Sequence, residues 1–319
     1  IGALFEKRLG NLADDELSTP AGSRSLTTSR PASARIEVLC ELHYQNARLG
    51  LEYGKPVRLI ESSLQSLALS RQGGSPRARA RALALYGFVL TALRRREAGS
   101  RALATAKDIA MRRADAVTVA FCAQVQAVGA CWAGDLDHAL VLLRECVDIH
   151  GPWLEPNELC LDVGNGDLLQ SLRGRASEAW PWIERALERL RRSRTPSILS
   201  DFMIHRARAA LVTIGRDAGD DRWLAAQMAA VSPRDPGRGY HRILSWGPRA
   251  RYYVETGNVG AEFEELVEAF EREGHDARFV HLVVCEYYVA VAHGRMHQCL
   301  RSSTATRTAA IAKLRRALA

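Results

Sequence analysis

The sequence predicts an all-α chain, and three observations predict it. From Ile36 onward the apolar residues recur at helical spacing. No stretch sustains the two-residue alternation of a half-buried strand. The helical stretches are cut by short Gly-, Pro- and Asp-containing turns, and these turns recur at steps near 40 residues.

Taken in order, the chain divides into three parts. Residues 1–17, with "LFEKRLGNL", look like the remnant of a preceding helix. Residues 18–34, "STPAGSRSLTTSRPASA" from Ser18 to Ala34, hold almost no large apolar side chain and predict a flexible linker. Residues 35–319 form the helical domain. The start lacks the charged-then-apolar order of a signal peptide, and "AAIAKLRRALA" stops inside an amphipathic helix, so both ends predict a piece of a longer protein.

The turns align on Gly54, Gly134, Gly174 and Gly257. From 54 to 134 is 80 residues, from 134 to 174 is 40, and from 174 to 257 is 83. Gly215 or Gly219 fills the gap on one side, "RRREAGSRALATA" near Arg95 fills the other, and Gly294 begins a seventh, atypical unit. Twelve residues after the four aligned glycines stand Ser66, Cys146, Ala186 and Ala269, all small. Five after them stand Leu59, Ala139, Ala179 and Glu262, small in two cases. The physical reading is a helix pair. Glycine ends the first helix in a left-handed conformation, and a small residue on the second lets a neighbouring helix approach. Neither helix buries its apolar stripe alone, so pairs must stack, and the expected product is a right-handed superhelix (an α-solenoid) of about seven pairs.

This pattern of glycine, alanine at plus five and a small residue at plus twelve resembles the second half of a tetratricopeptide repeat. The resemblance covers most of Ile36 to Leu300, with Glu262 and Leu59 breaking the first alanine and a step near 40 where the family usually has about 34. Long repeats of this kind are similar to those that follow the ATPase module of bacterial STAND-type regulators, the class of the maltose regulator and of kinase- or cyclase-linked signalling proteins. That resemblance implies a sensor or scaffold region that binds a protein segment, a peptide or a small inducer.

Composition narrows the alternatives. The formal charge is +8, but the 44 basic residues include only Lys7, Lys55, Lys107 and Lys313 as lysines. An Arg- and Ala-heavy balance of this kind is what a GC-rich genome writes into any surface, so the charge alone does not indicate nucleic acid. The runs Arg94–Arg96, Arg112–Arg113 and Arg189–Arg194 read as helix ends. Seven widely spaced cysteines read as small buried side chains in a reducing cytoplasm. Ala116–Gly134 is free of charge over 19 residues, and its small residues and two glutamines favour a buried helix over a membrane span.

Chemical motifs are weak. "GLEYGKP" is one spacer short of a phosphate loop and has Pro56 in place of the Ser or Thr that would hold magnesium. "DVGNGDLLQ" lacks a third glycine and a preceding strand, and predicts a helix with small residues where a neighbour packs. His275, His281, Cys285, His293, His297 and Cys299 gather near the C-terminus, but Gly294 is expected to break the helix between His293 and His297, and no paired metal spacing exists. No catalytic elbow is present, so the expectation is a non-enzymatic fragment with no cofactor and no metal. An α-helical enzyme with an unrecognised site and a helical-repeat RNA binder are the rivals.

The expected binding surface is the inner groove lined by the first helix of each pair. Positions about six and ten before the turn glycines select Tyr44, Arg48, Gln124, His205 and Arg251, and His281 joins them by the same one-face spacing. In "GRASEAWPWIERALERL" Ala179, Ile183, Ala186, Leu187 and Leu190 form one face with Trp182 at its edge. Ser177 is a possible N-cap, and Trp180 remains open as a contact to a neighbour or partner.

Overall fold

The computed structural model describes residues 30–52, 55–193, 199–219, 221–231, 241–274 and 282–318, and among them the chain is all-helical with no strand. The helices follow one another in seven contacting pairs. The first three are α1 (Arg30–Glu52) with α2 (Pro56–Arg71), α3 (Pro76–Ala92) with α4 (Arg96–Arg112), and α5 (Ala116–Ala133) with α6 (Leu136–Glu145). Then come α7 (Pro156–Leu172) with α8 (Ala176–Arg192), α9 (Ser200–Thr213) with α10 (Arg222–Ala230), α11 (His241–Glu255) with α12 (Ala261–Glu273), and α13 (Leu282–Arg301) with α14 (Thr304–Leu318). A π-turn over Cys146–His150 and a short 3-10 turn over Gly151–Trp153 lead from α6 to α7. Helix α1 begins at Arg30, so the last five residues of the expected linker are already helical.

The turns that end α3, α5, α7 and α9 share one hydrogen-bond pattern, which Ala114 and Asp115 also make at the end of α4. Gly134 donates to the Cys131 carbonyl and Asp135 to Ala130; Gly174 donates to Ser171 and Arg175 to Gln170; Gly215 donates to Val212 and Arg216 to Leu211. These glycines have φ of 76°, 70° and 66°, the left-handed cap that satisfies two orphan carbonyls at a helix end. Arg94, at φ 63°, makes the same pair of bonds through Arg94 to Thr91 and Arg95 to Leu90. The turn therefore recurs at 94, 134, 174 and 215, and Gly257, at φ 71° with its bond to Val254, continues the series. Gly215 rather than Gly219 is the repeating turn, and Gly54 lies outside the described residues.

Contacts between pairs keep the same period. Ser75 binds Glu37 across 38 residues, Arg81 binds Glu41 across 40, Lys107 binds Glu145 across 38, Arg206 binds Asp167 across 39 and Gln298 binds Val259 across 39. Within pairs the helices run antiparallel: Gly166 lies against Trp182 while Gln170 bonds to Glu178.

The inner odd helices α3, α7 and α9 bury more of themselves than the even helices do. Residues 82–90 of α3 and 202–211 of α9 are buried without a break, and α7 is buried at all but one position from Glu158 to Gln170. The enclosed span of α3 is small or apolar all round, whereas α7 and α9 also enclose charged residues such as Asp167 and Arg206, which pair with each other. The even helices α6, α8 and α12 bury one stripe, such as Phe263, Leu266, Val267 and Phe270 on α12. Of the small positions twelve after the turn glycines, Ser66, Cys146 and Ala186 are fully buried and Ala269 is half-buried. Ala186→Leu should therefore overpack α8 and cost about 1–3 kcal/mol, read from the urea midpoint. An unchanged midpoint would count against the alignment.

Two local expectations are corrected. Gly294 neither ends a helix nor opens a unit, because α13 runs through it and the Phe263 ring fills the space beside it, with Cζ 2.4 Å from where a Cβ would stand. The break between the last two helices falls instead at Ser302–Ser303. Ser177 is not a cap: α8 starts at Ala176 behind Arg175, which makes no side-chain capping bond. Pro181 sits inside α8 without ending it.

Candidate functional site

The odd helices turn a polar face toward one another, and five of the six sequence-selected residues lie on them. Their described contacts are with the chain itself. Tyr44 is 3 % exposed and Arg48 is 9 % exposed. The Tyr44 ring meets Phe121 of α5 edge-on at 5.2 Å, and the Arg81 guanidinium lies 4.7 Å from its centre. Arg48 reaches past two pairs to the start of α7, bonding Glu155 at 2.9 Å and standing 3.4 Å from Glu158. Gln124 and His205 are buried on α5 and α9, and Arg251 is buried on α11. His281 lies outside the described residues.

The strongest electrostatic feature is a buried tetrad. Arg206 of α9 bonds Asp167 of α7 and, at 2.8 Å, Glu286 of α13. Arg251 of α11 bonds the same Asp167 at 3.0 Å, Glu286 at 2.9 Å and the Ser171 hydroxyl at 2.9 Å. Two guanidinium groups and two carboxylates leave the cluster neutral, which is the condition for keeping charges out of water. Burial pushes the Asp167 carboxyl up, but Arg251 and Arg206 outweigh it and hold the group below its usual range. Arg206 also stacks over the Phe202 ring at 5.1 Å. The cluster joins four odd helices and lies between the middle and C-terminal apolar cores.

A second polar group on α7 is differently placed. Asp162 and Asn165, one turn apart, are fully buried, and none of their side-chain oxygen and nitrogen atoms has a hydrogen-bond partner. Burial first, and the neighbouring Glu158 second, raise the Asp162 carboxyl well above its ordinary value. Because the folded state holds this proton more tightly than the unfolded chain, the associated stability is present below about pH 4 and is lost as pH rises toward the folded pKa. Asp162→Asn is expected to raise stability at neutral pH and to flatten its fall between acid and neutral pH. Glu158 shifts in the same direction, so a reduced fall remains. Urea midpoints at several pH values measure this, and an unchanged slope would show that the fold does not raise the Asp162 carboxyl.

Elsewhere the chemistry is sparse. Among the described residues no three His, Cys, Asp or Glu side chains stand where they could share a metal ion. All seven cysteines are free thiols, five of them buried, with Cys285 exposed and Cys299 half-buried. Burial raises the Cys122, Cys131 and Cys160 thiols to about 12, so they are unreactive packing residues. Helix α5 has the length and composition of a membrane span, yet 61 % of it is buried inside the fold. Residues 162–170 are a helix with small residues at close approaches, as expected of "DVGNGDLLQ".

Two surface features were not legible in the sequence. A cleft of about 600 Å³ opens between α8 and α10, walled by Trp180, Leu187, Arg191, Arg216, Asp217 and Asp221. Trp180, left open by its position on α8, is only 7 % exposed and lies 5.7 Å beneath Arg216, so its contact is with a neighbouring pair. The second feature is a row of exposed apolar residues at the ends of successive odd helices: Leu93 at 45 %, Trp132 at 40 % and Leu172 at 50 %. Their place one or two residues before a turn was the available signal, but nothing in the sequence shows which end residues stay uncovered.

No protein-family model matches the chain, and neither a curated protein nor a solved structure matches it.

Proposed function

We propose that the chain is a tetratricopeptide-like right-handed superhelix that acts as a non-enzymatic binding module of a larger bacterial regulatory protein. Support for the architecture is the recurrence of one capped turn at 94, 134, 174 and 215, with hydrogen bonds joining equivalent positions 38 to 40 residues apart. The observation that carries the binding role is the apolar row Leu93, Trp132 and Leu172. One half-exposed large apolar side chain beside the turn in each of three successive units suits a protein segment that presents its own apolar side chains at regular intervals. The buried charges of the odd helices then serve the scaffold, holding successive pairs at fixed angles.

The triple variant Leu93→Ser, Trp132→Ser, Leu172→Ser tests this reading. Captures from the source cells with wild type and variant should differ by the loss of a specific protein, with both proteins still showing a cooperative thermal transition; Trp132 also meets the Phe88 ring edge-on at 6.0 Å, so a small drop in melting temperature is expected from that position. An identical capture overturns the surface. Filter binding at physiological salt addresses the RNA reading; no retention is expected, and salt-sensitive retention would favour it. A small-molecule inducer has one supporting observation, the Trp180 cleft, whose volume of about 600 Å³ lies within the usual range for ligand pockets.

A further inference from the structure

The cleft between α8 and α10 has the opposite charge to the chain around it. The chain carries +8, yet the cleft is lined by four carboxylates, Glu184, Glu188, Asp217 and Asp221, and by two guanidinium groups, Arg191 and Arg216. Part of this charge is paired within the fold. Arg191 meets Asp221 at 2.6 Å and Glu188 at 3.4 Å, and Arg192 adds a second bond to Glu188 at 2.6 Å. Glu184, Asp217 and Arg216 remain, all exposed, and among the described residues none of the three has an ion pair. Asp217 accepts only the Gly219 N–H at 2.8 Å, and Arg216 lies 5.7 Å over the Trp180 ring. Two unpaired carboxylates therefore face one guanidinium. Behind these charges the lining is apolar and nearly closed to water, with Trp180 7 % exposed, Leu187 5 % and Leu224 3 %. The indole N–H of Trp180 is buried without a hydrogen-bond partner, an unfavourable state that an acceptor in the cleft would relieve.

We propose that this cleft is the site of a small organic cation, an amine or guanidine on an apolar body that also carries one hydrogen-bond acceptor. The Glu184 and Asp217 carboxylates take the charged head, and the body packs on Leu187 and Leu224. Arg216 shows what the ring accepts: a guanidinium already rests on Trp180, drawn by the negative face of the indole, and it is the chain's own. The ligand takes that place. Arg216, an exposed side chain with no carboxylate partner, moves into solvent, and the acceptor of the ligand reaches the Trp180 N–H. An anion is disfavoured, because it would reach Arg216 only by approaching two carboxylates. Helices α8 and α10 belong to successive pairs, so a bound cation joins them and stabilises the loaded protein by mass action.

This inference rests on the small-ligand reading of the Trp180 cleft, and the test separates the two. Calorimetric titration of the chain at neutral pH with tyramine should show saturable one-to-one binding. Its neutral alcohol, tyrosol, and its acidic counterpart, 4-hydroxyphenylacetate, should bind at least about tenfold more weakly. The double variant Glu184→Gln, Asp217→Asn keeps side-chain size and the acceptor for Gly219, so it should melt at the wild-type temperature and lose about tenfold in tyramine affinity. Arg216→Ala removes the resident cation and should bind tyramine more tightly than wild type. Tighter binding of 4-hydroxyphenylacetate than of tyramine, abolished in Arg216→Ala, would overturn the cation in favour of an anion and leave the small-ligand reading standing. Equal binding of all three probes, or an unchanged tyramine affinity in the double variant, overturns the cation site. If none of the three binds, the cation site and the small-ligand reading fall together, and the apolar row is left to its own triple variant.

Discussion

Arg206→Met is expected to destabilise the fold by about 3–5 kcal/mol, the largest effect of any single substitution proposed, because it leaves uncompensated negative charge in a dry site. Arg206 is fully buried, and its two carboxylate partners are buried on α7 and α13. Without it, Arg251 alone faces Asp167 and Glu286. Urea unfolding at neutral pH measures the loss. Replacing all four charged residues with apolar side chains of similar volume should cost much less, since the desolvation of all four charges is removed along with their attraction. A single variant as stable as wild type would show that the tetrad is open to water. The same tetrad predicts acid sensitivity. With its pKa held low, Asp167 contributes stability above the unfolded carboxylate value, and this is lost as pH falls through the folded one.

Gly164→Leu should cost about 3 kcal/mol through overpacking, more than the helix propensity it gains. A Cβ at Gly164 would stand 2.6 Å from Cζ of Phe202 on α9, and one at Gly166 would stand 2.7 Å from the Trp182 ring on α8. Helix α7 is thus held between two rings that rest on backbone. Thermal unfolding reads the loss, and adding Phe202→Ala to Gly164→Leu should recover part of it by opening volume on the facing helix. If Gly164→Leu melts at the wild-type temperature, α7 and α9 are not in ring-to-backbone contact.

The functional surface was less legible than the fold. The spacing rule did select residues of the odd helices, but Arg48 and Arg251 are committed to carboxylates of the chain itself. A count of positions before a turn reports which side of a helix a residue occupies, not whether another helix covers it. Leu93, Trp132 and Leu172 are ordinary apolar residues in the sequence, and only the packing of their neighbours leaves them in water. Gly294 shows the converse. Glycine near a helix end reads as a stop, yet at this position it admits the Phe263 ring and the helix continues.

What the sequence determined by itself was local: helices in place of strands, the turns at Gly134, Gly174 and Gly257 with one at Gly215 or Gly219, and the small residues Ser66, Cys146 and Ala186 in or at the end of the second helices. Each of these is decided within a few residues, by helical periodicity or by a backbone conformation that glycine adopts without strain. Only the tertiary structure decided that Arg48 meets Glu155 across 107 residues, and that Arg206 and Arg251 share Asp167 and Glu286 across separations of up to 84. Those meetings depend on how each helix packs against helices distant in the chain, and such packing leaves no mark on residue spacing within any one helix.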